Sequence, residues 1–171
     1  MVLDGRSIIE KAMVTFSSDV LLDTEDQIQP NGVDLRIDKL YEVNGRVTIP
    51  REGKAKSDLR AREVDPKDGY WSITPGGLYY VDFLETISVS DEWCATLATR
   101  SSLVRAGVDV VSGLWDTGFK GTLGCTLRVW SPVDIEWGAK LCQVMFWKSV
   151  FNGHYYTGRY QGTTSQTAIN S

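Results

Sequence analysis

The chain has 171 residues, 42% of them hydrophobic and 23% charged, which suits one domain around one core and leaves too little for two. Its formal charge of −4, from 18 basic and 22 acidic side chains, argues against a nucleic acid polymer as partner, because holding a phosphate backbone requires an electropositive face. There is no apolar run of bilayer length, and the opening Met1-Val2-Leu3-Asp4-Gly5-Arg6 lacks a signal-peptide core, so no membrane association and a cytoplasmic location are expected.

In chain order, the segment Asp4 to Val14 sets apolar residues in a helical rhythm behind an acidic or hydroxyl cap, with Ser7 and Glu10 spaced as a capping box. One short N-terminal helix is expected. The texture then turns to short β-branched and aromatic runs broken by Gly, Pro and Asn-Gly. Leu40 to Ile49 reads as a hairpin turning at Asn44-Gly45. Residues 51–69 alternate charge with little to bury and read as a solvated loop. Further strands are expected at Trp71–Thr74, Leu78–Phe83, Glu85–Val89, Ala95–Thr99, Val108–Val111, Gly121–Trp130 and Leu141–Trp147, enough for a sandwich or barrel. The tail, residues 162–171, has no charge and little hydrophobicity, and is expected to be mobile until a ligand or a neighbouring chain holds it.

The chemistry open to this chain is narrow. Cys94, Cys125 and Cys142 form no Cys-x-x-Cys pair and have no zinc-spaced histidine, so neither a disulfide framework nor a structural zinc is expected. His154 is the only histidine and lies in a Gly/Tyr-rich segment, which suits an exposed loop better than a nucleophile's base. Four polar islands remain: Pro30–Arg36, Arg100–Arg105, Gly113–Gly121 and Arg159–Ser165. In the second, an arginine fork followed by Ser101 and Ser102 could grip phosphate oxygens, or be a turn with a surface arginine. In the third, Asp116 could serve as a general base toward water, or simply start the turn by bonding backbone N–H groups.

Taken in order, the islands resemble the trimeric deoxyuridine triphosphatase and deoxycytidine triphosphate deaminase superfamily over roughly residues 28–165. Asn31-Gly-Val-Asp34-Leu-Arg36 is similar to its first motif, Arg100-Ser101-Ser102-Leu103 to its second, and Gly113-Leu-Trp-Asp116-Thr-Gly-Phe119-Lys-Gly121 to its third. Gly138-Ala-Lys-Leu-Cys-Gln143-Val-Met-Phe146 resembles the fourth, and Tyr160-Gln161-Gly162 with the Thr/Ser tail the fifth.

The resemblance implies an all-β distorted jelly roll with one short N-terminal helix, assembled as a homotrimer with active sites between subunits and a C-terminal segment closing over the nucleotide. It makes Asp116 the base that activates water against the α-phosphorus of dUTP, with Mg2+ on the triphosphate. Arg100, Ser101, Ser102 and Arg105 would hold substrate, Gln143 would bond the triphosphate side, and Arg159, Tyr160 and Gln161 would come from the closing segment. Asp34 would meet the metal only through water. Phe119 would stand under the deoxyribose or be an ordinary core residue. The hairpin around Asp109, Val110 and Val111 would read uracil through its backbone. In the deaminases a glutamate stands where this chain has Thr126, which cannot shuttle protons at neutral pH, so the resemblance favours an archaeal-type dUTPase. The alternatives are a dCTP deaminase, or bifunctional enzyme, with an altered relay, and a nucleotide-binding trimer without turnover. The six tryptophans are expected in the core or between subunits.

Overall fold

The structure, a computed structural model, describes the whole chain except residues 17–22, 53–55, 123, 151–152, 159–160, 163–168 and 170–171. It opens with helix α1 (Gly5–Glu10), capped by Asp4, whose carboxylate accepts from the Ser7 backbone N–H and the Ser7 hydroxyl. The cap is thus the acidic residue, placed as an N-terminal orphan N–H requires. A 3-10 turn at Glu25–Gln27 follows strand β1 (Val14–Thr15). The strands after it are β2 (Ile28–Gln29), β3 (Gly32–Asn44), β4 (Val47–Thr48), β5 (Lys56–Ser57), β6 (Arg60–Val64), β7 (Tyr70–Ile73) and β8 (Leu78–Phe83). Then come β9 (Thr86–Ser88), β10 (Trp93–Thr99), helix α2 (Ser101–Arg105), β11 (Val108–Val111), β12 (Lys120–Gly121), β13 (Cys125–Val129), β14 (Val133–Glu136) and β15 (Lys140–Lys148).

The fold is all-β, a distorted jelly roll, and its axis is β3. At 13 residues this strand is long enough to serve two neighbours in turn, so its first half pairs with β15 and its second with β8. The register slips at Lys140/Cys142 and at Ile37/Lys39, where the bulges bend the sheet around the core. The main path runs β10-β15-β3-β8-β13-β11, with the short β1-β9-β12 sheet beside it. Ile8, Val33, Leu35, Ile37, Phe83, Ile87, Leu127 and Phe146 fill the interior. Trp71 and Trp115 join that core, whereas Trp130, Trp137 and Trp147 stay exposed.

Three local expectations are corrected. The Asn44-Gly45 step is no two-residue hairpin: β3 runs on to Asn44, and β4 leaves to pair with β5. Gly45 takes a φ of 129° there, and a Cβ would lie 2.7 Å from the Asp58 carbonyl oxygen. The 51–69 stretch is in part strand, because β6 returns along β3 with Glu42 opposite Arg62 and Tyr41 opposite Glu63. Its alternating charges serve as cross-strand pairs, Arg62 with Glu42 and Lys39 with Glu63, while Ala61 turns inward beside Tyr41 and Val43. Finally, α2 is a second helical turn where only one helix was expected.

Candidate functional site

The β10-β15-β3 order sets three polar positions in one row. Ala98 pairs with Gln143, Gln143 with Asp34, and Arg100 follows directly at the end of β10. Arg100 is extended, its N–H bonds the Leu141 carbonyl, and it caps α2, on which Ser101, Ser102 and Arg105 are all exposed. Arg100 Nε lies 3.3 Å from Asp34 Oδ2. Asp34 is 4% exposed, and burial pushes its carboxyl above the ordinary value against the pull of Arg100 and Lys140. Gly32 makes room for this row, since a Cβ there would collide with the Val144 carbonyl and lie 2.8 Å from Gln143 Cγ.

Behind the row stands a brace the sequence did not announce. Buried Gln27 donates to the Asp34 carbonyl at 2.7 Å and to Glu85 Oε1 at 2.6 Å, and accepts from Arg36 Nε at 3.0 Å. Glu85 Oε2 accepts the Arg36 N–H at 3.0 Å, and burial raises its carboxyl above the usual range. Asp26 closes the outer side, 2.8 Å from Arg36 and 2.6 Å from Lys140 Nζ, and the Lys140 hydrogen bond holds it below its ordinary value. Every buried polar atom in this set is bonded, so β3 is fixed on either side of Asp34. A Gln and a Glu in strand-like text give no signal of this, because their partners lie far along the chain.

The expected base-reading residues sit beside the same end of β10. The Thr99 hydroxyl accepts from the Val110 N–H at 2.8 Å and lies 2.8 Å from Asp109 Oδ1. Along the other edge of β11, Val111 pairs with Thr126. Thr126 therefore lies next to the strand expected to hold the base.

Asp116 is elsewhere. Trp115 and Ala95 exchange both backbone hydrogen bonds at 2.9 Å, which places Asp116 near the start of β10. Arg100 is five residues further along, roughly 16 Å at strand spacing. Asp116 is exposed at the head of a turn closed by the Phe119 N–H on the Asp116 carbonyl, with Gly118 at a φ of 88°. The Thr117 hydroxyl donates to the Trp93 carbonyl at 2.6 Å. A concavity of about 470 Å³ opens beside it, lined by Asp116, Thr117, His154, Tyr155 and Tyr156. Phe119 is 3% exposed, stacked on Trp115 at 6.0 Å and edge-on to Tyr156 at 5.8 Å, so in this chain it is a core residue beneath the C-terminal segment.

Gln161 is also placed: its Nε2 donates to the Gly118 carbonyl at 2.8 Å and its Oε1 accepts the Lys120 N–H at 3.0 Å. Arg159 and Tyr160 lie outside the described residues, as does most of the expected tail. The expected residues thus form two groups, one with Arg100, Ser101, Ser102, Arg105, Asp34, Gln143, Asp109, Val110 and Val111, the other with Asp116, Phe119 and Gln161. Among the described residues no three His, Cys, Asp or Glu side chains are grouped to hold a metal by themselves.

The family model described as dCTP deaminase-like matches residues 2–149. A Methanosarcina mazei protein named "Probable deoxyuridine 5'-triphosphate nucleotidohydrolase" is 31% identical over 146 residues, covering 82% of this chain and 84% of that one. A protein of the same name from Methanopyrus kandleri is 31% identical over 134 residues, covering 77% and 86%. The solved 2'-deoxycytidine 5'-triphosphate deaminase of Agrobacterium tumefaciens superposes with a TM-score of 0.60 at 19% identity, over 85% of this chain and 47% of that one. With the family pattern matched over most of its length, and the fold shared, this chain belongs to the dCTP deaminase-like family.

Proposed function

We propose that this protein hydrolyses dUTP to dUMP and pyrophosphate. The choice between hydrolysis and deamination rests on Thr126, beside Val111 on the base-reading strand. Attack on C4 of cytosine needs a side chain there that takes and returns a proton, and a threonine hydroxyl does neither at neutral pH. Two archaeal relatives carry the nucleotidohydrolase name, which supports the same side.

In the proposed reaction the exposed Asp116 carboxylate takes a proton from water, and the oxygen so activated attacks the α-phosphorus in line. The bond from that phosphorus to the bridging oxygen breaks, and pyrophosphate leaves with the electron pair. Arg100 and the Ser101 and Ser102 hydroxyls hold the phosphates, with Arg105 and Gln143 beside them. The donor set suits Mg2+, which keeps water and phosphate oxygens rather than a full protein cage, and Asp34, already paired with Arg100, would reach it through water. When bound, such a metal would supply charge neutralisation on the triphosphate.

Asp116 and Arg100 of one chain stand roughly 16 Å apart along the backbone of β10. That separation supports sites shared between copies in a homotrimer, and the exposed Trp130, Trp137 and Trp147 give such copies apolar surface to cover. Light scattering should give about three times 19.1 kDa, and a monomer peak would count against the shared site.

The deciding experiment follows products from dUTP, dCTP, dTTP and UTP with magnesium, beside Asp116→Asn. The expected result is dUMP and pyrophosphate from dUTP, lost in the variant. Ammonia and dUTP from dCTP would instead support the deaminase alternative.

A further inference from the structure

We propose that Thr99 is a positioning residue that sets base selectivity, by pinning the start of an arched backbone segment to β10. This rests on the reading above, in which the 108–113 segment receives the base.

The residues from Asp109 to Asp116 run antiparallel beside β10 but do not form a continuous ladder with it. At one end the Thr99 hydroxyl accepts the Val110 N–H at 2.8 Å and donates toward Asp109 Oδ1 at 2.8 Å, with the Val110 carbonyl at 3.2 Å as its other neighbour. At the other end Ala95 and Trp115 exchange two backbone bonds at 2.9 Å. Between these pins, no hydrogen bond among the described residues ties Ser112–Leu114 to β10, and the ladder with β13 stops at Val111–Thr126. Leu114 is 55% exposed and Gly113 is exposed too. The arch therefore presents backbone N–H and C=O groups outside the sheet, which is what a pyrimidine edge needs as partners.

An arch is positioned by its ends. The Trp115 end is held to β10 by backbone bonds that any sequence could make, whereas the Val110 end, laddered to β13 on its other edge, is held to β10 by one side chain. Thr99 stands where the ladder would otherwise continue, and its single hydroxyl completes the Val110 N–H and orients the Asp109 carboxylate. Without it the Val110 N–H loses its acceptor, and the arch can shift by the small distance that separates a matched pyrimidine edge from a mismatched one. A mismatch is rejected because it leaves buried polar groups unpaired, so selectivity depends on where the arch is held.

The test compares wild type with Thr99→Val, which keeps the shape and removes the hydroxyl, and with Thr99→Ser, which keeps the hydroxyl. Thr99→Ala is the second hydroxyl-free variant should valine disturb folding. For each, kcat and KM are measured with dUTP, dCTP and dTTP, and folding is followed by thermal unfolding. In Thr99→Val the preference for dUTP over the other two is expected to fall about tenfold or more, through KM rather than kcat, with serine restoring it. Thr99→Val or Thr99→Ala that is less stable but as selective as wild type would show a merely structural contact and overturn the proposal. A wild type that cleaves no dUTP would overturn the functional reading and this proposal together. Cleavage by wild type with unchanged selectivity in the variants overturns the role of Thr99 alone.

Discussion

The two ends of β10 are built to opposite specifications. At the Arg100 end, Asp34 is buried, paired with Arg100 and backed by the Gln27–Glu85–Arg36 brace, so the groups that would meet phosphate are set before any ligand arrives. At the Asp116 end the carboxylate faces solvent, and the turn behind it is held by Thr117, by a core ring at Phe119 and by Gln161 from the C-terminal segment. The contrast fits the two tasks that the proposed function gives these ends. Holding a polyanion benefits from fixed donors that need no reorganisation, whereas a base that activates water must first meet water.

The sharpest way to break this comparison is to damage one end in each of two chains. Asp116→Asn is expected to lower dUTP turnover by about 10²–10⁴-fold, the range of a lost general base, while nucleotide binding stays within a few-fold. Arg100→Ala should be inactive through weak binding. When the two inactive proteins are unfolded together and refolded, mixed trimers should regain activity, because an intact Arg100 of one copy can face an intact Asp116 of another. No recovery would mean that both groups act from the same chain.

Next in size is the effect of Arg100→Ala on the fold itself. Removing the guanidinium leaves Asp34 buried without its cation, which costs several kcal/mol in a dry interior. Arg100 keeps 36% of its side chain exposed, so about 1–2 kcal/mol is expected here, read by urea denaturation at pH 7. An unchanged midpoint would show that the brace, not the ion pair, supports Asp34.

How much of each end was legible in the sequence follows from the range of the interactions that make it. Asp116, Arg100 and the serines stand in compact motifs, and turn chemistry made them visible along with most strands from Leu78 to Trp147. Gln27, Glu85, Lys140 and Thr99 were not legible, because each gains its meaning from a partner that only the sheet brings near; Gln27 and Glu85 are 58 residues apart. The misread 51–69 stretch has the same cause. Alternating charges look like a solvated loop until β3 supplies opposite charges across the ladder. Phe119 was read with two options, and the chain places it against Trp115 and Tyr156, a cluster that joins a turn to a segment well downstream.

Gln161→Ala tests the other end more gently. It removes two hydrogen bonds to the Gly118 and Lys120 backbone, each worth about 0.5–1.5 kcal/mol, at an exposed site. The expected outcome is a fall in kcat/KM of about tenfold with little change in thermal midpoint, since both lost bonds lie at the exposed surface. Gln161→Glu keeps the acceptor for the Lys120 N–H and loses the donor to Gly118, and should lie between alanine and wild type.

The smallest effect belongs to Asp34 and carries a definite sign. Burial holds its carboxyl above the ordinary 3.8, so the folded state binds this proton more tightly than the unfolded chain does. The stabilising contribution of that proton is complete below the unfolded value and is lost as pH rises through the folded one. Asp34→Asn cannot titrate and loses nothing over that interval. The stability difference between variant and wild type, measured by denaturant at pH 3.5 and again at pH 7, should therefore move in the variant's favour as pH rises. Arg100 opposes the shift, so in an Arg100→Ala background the same movement should be larger and extend to higher pH. A movement toward the wild type would mean that Arg100 and Lys140 together outweigh burial, and that the two ends of β10 differ less in their electrostatics than their exposure suggests.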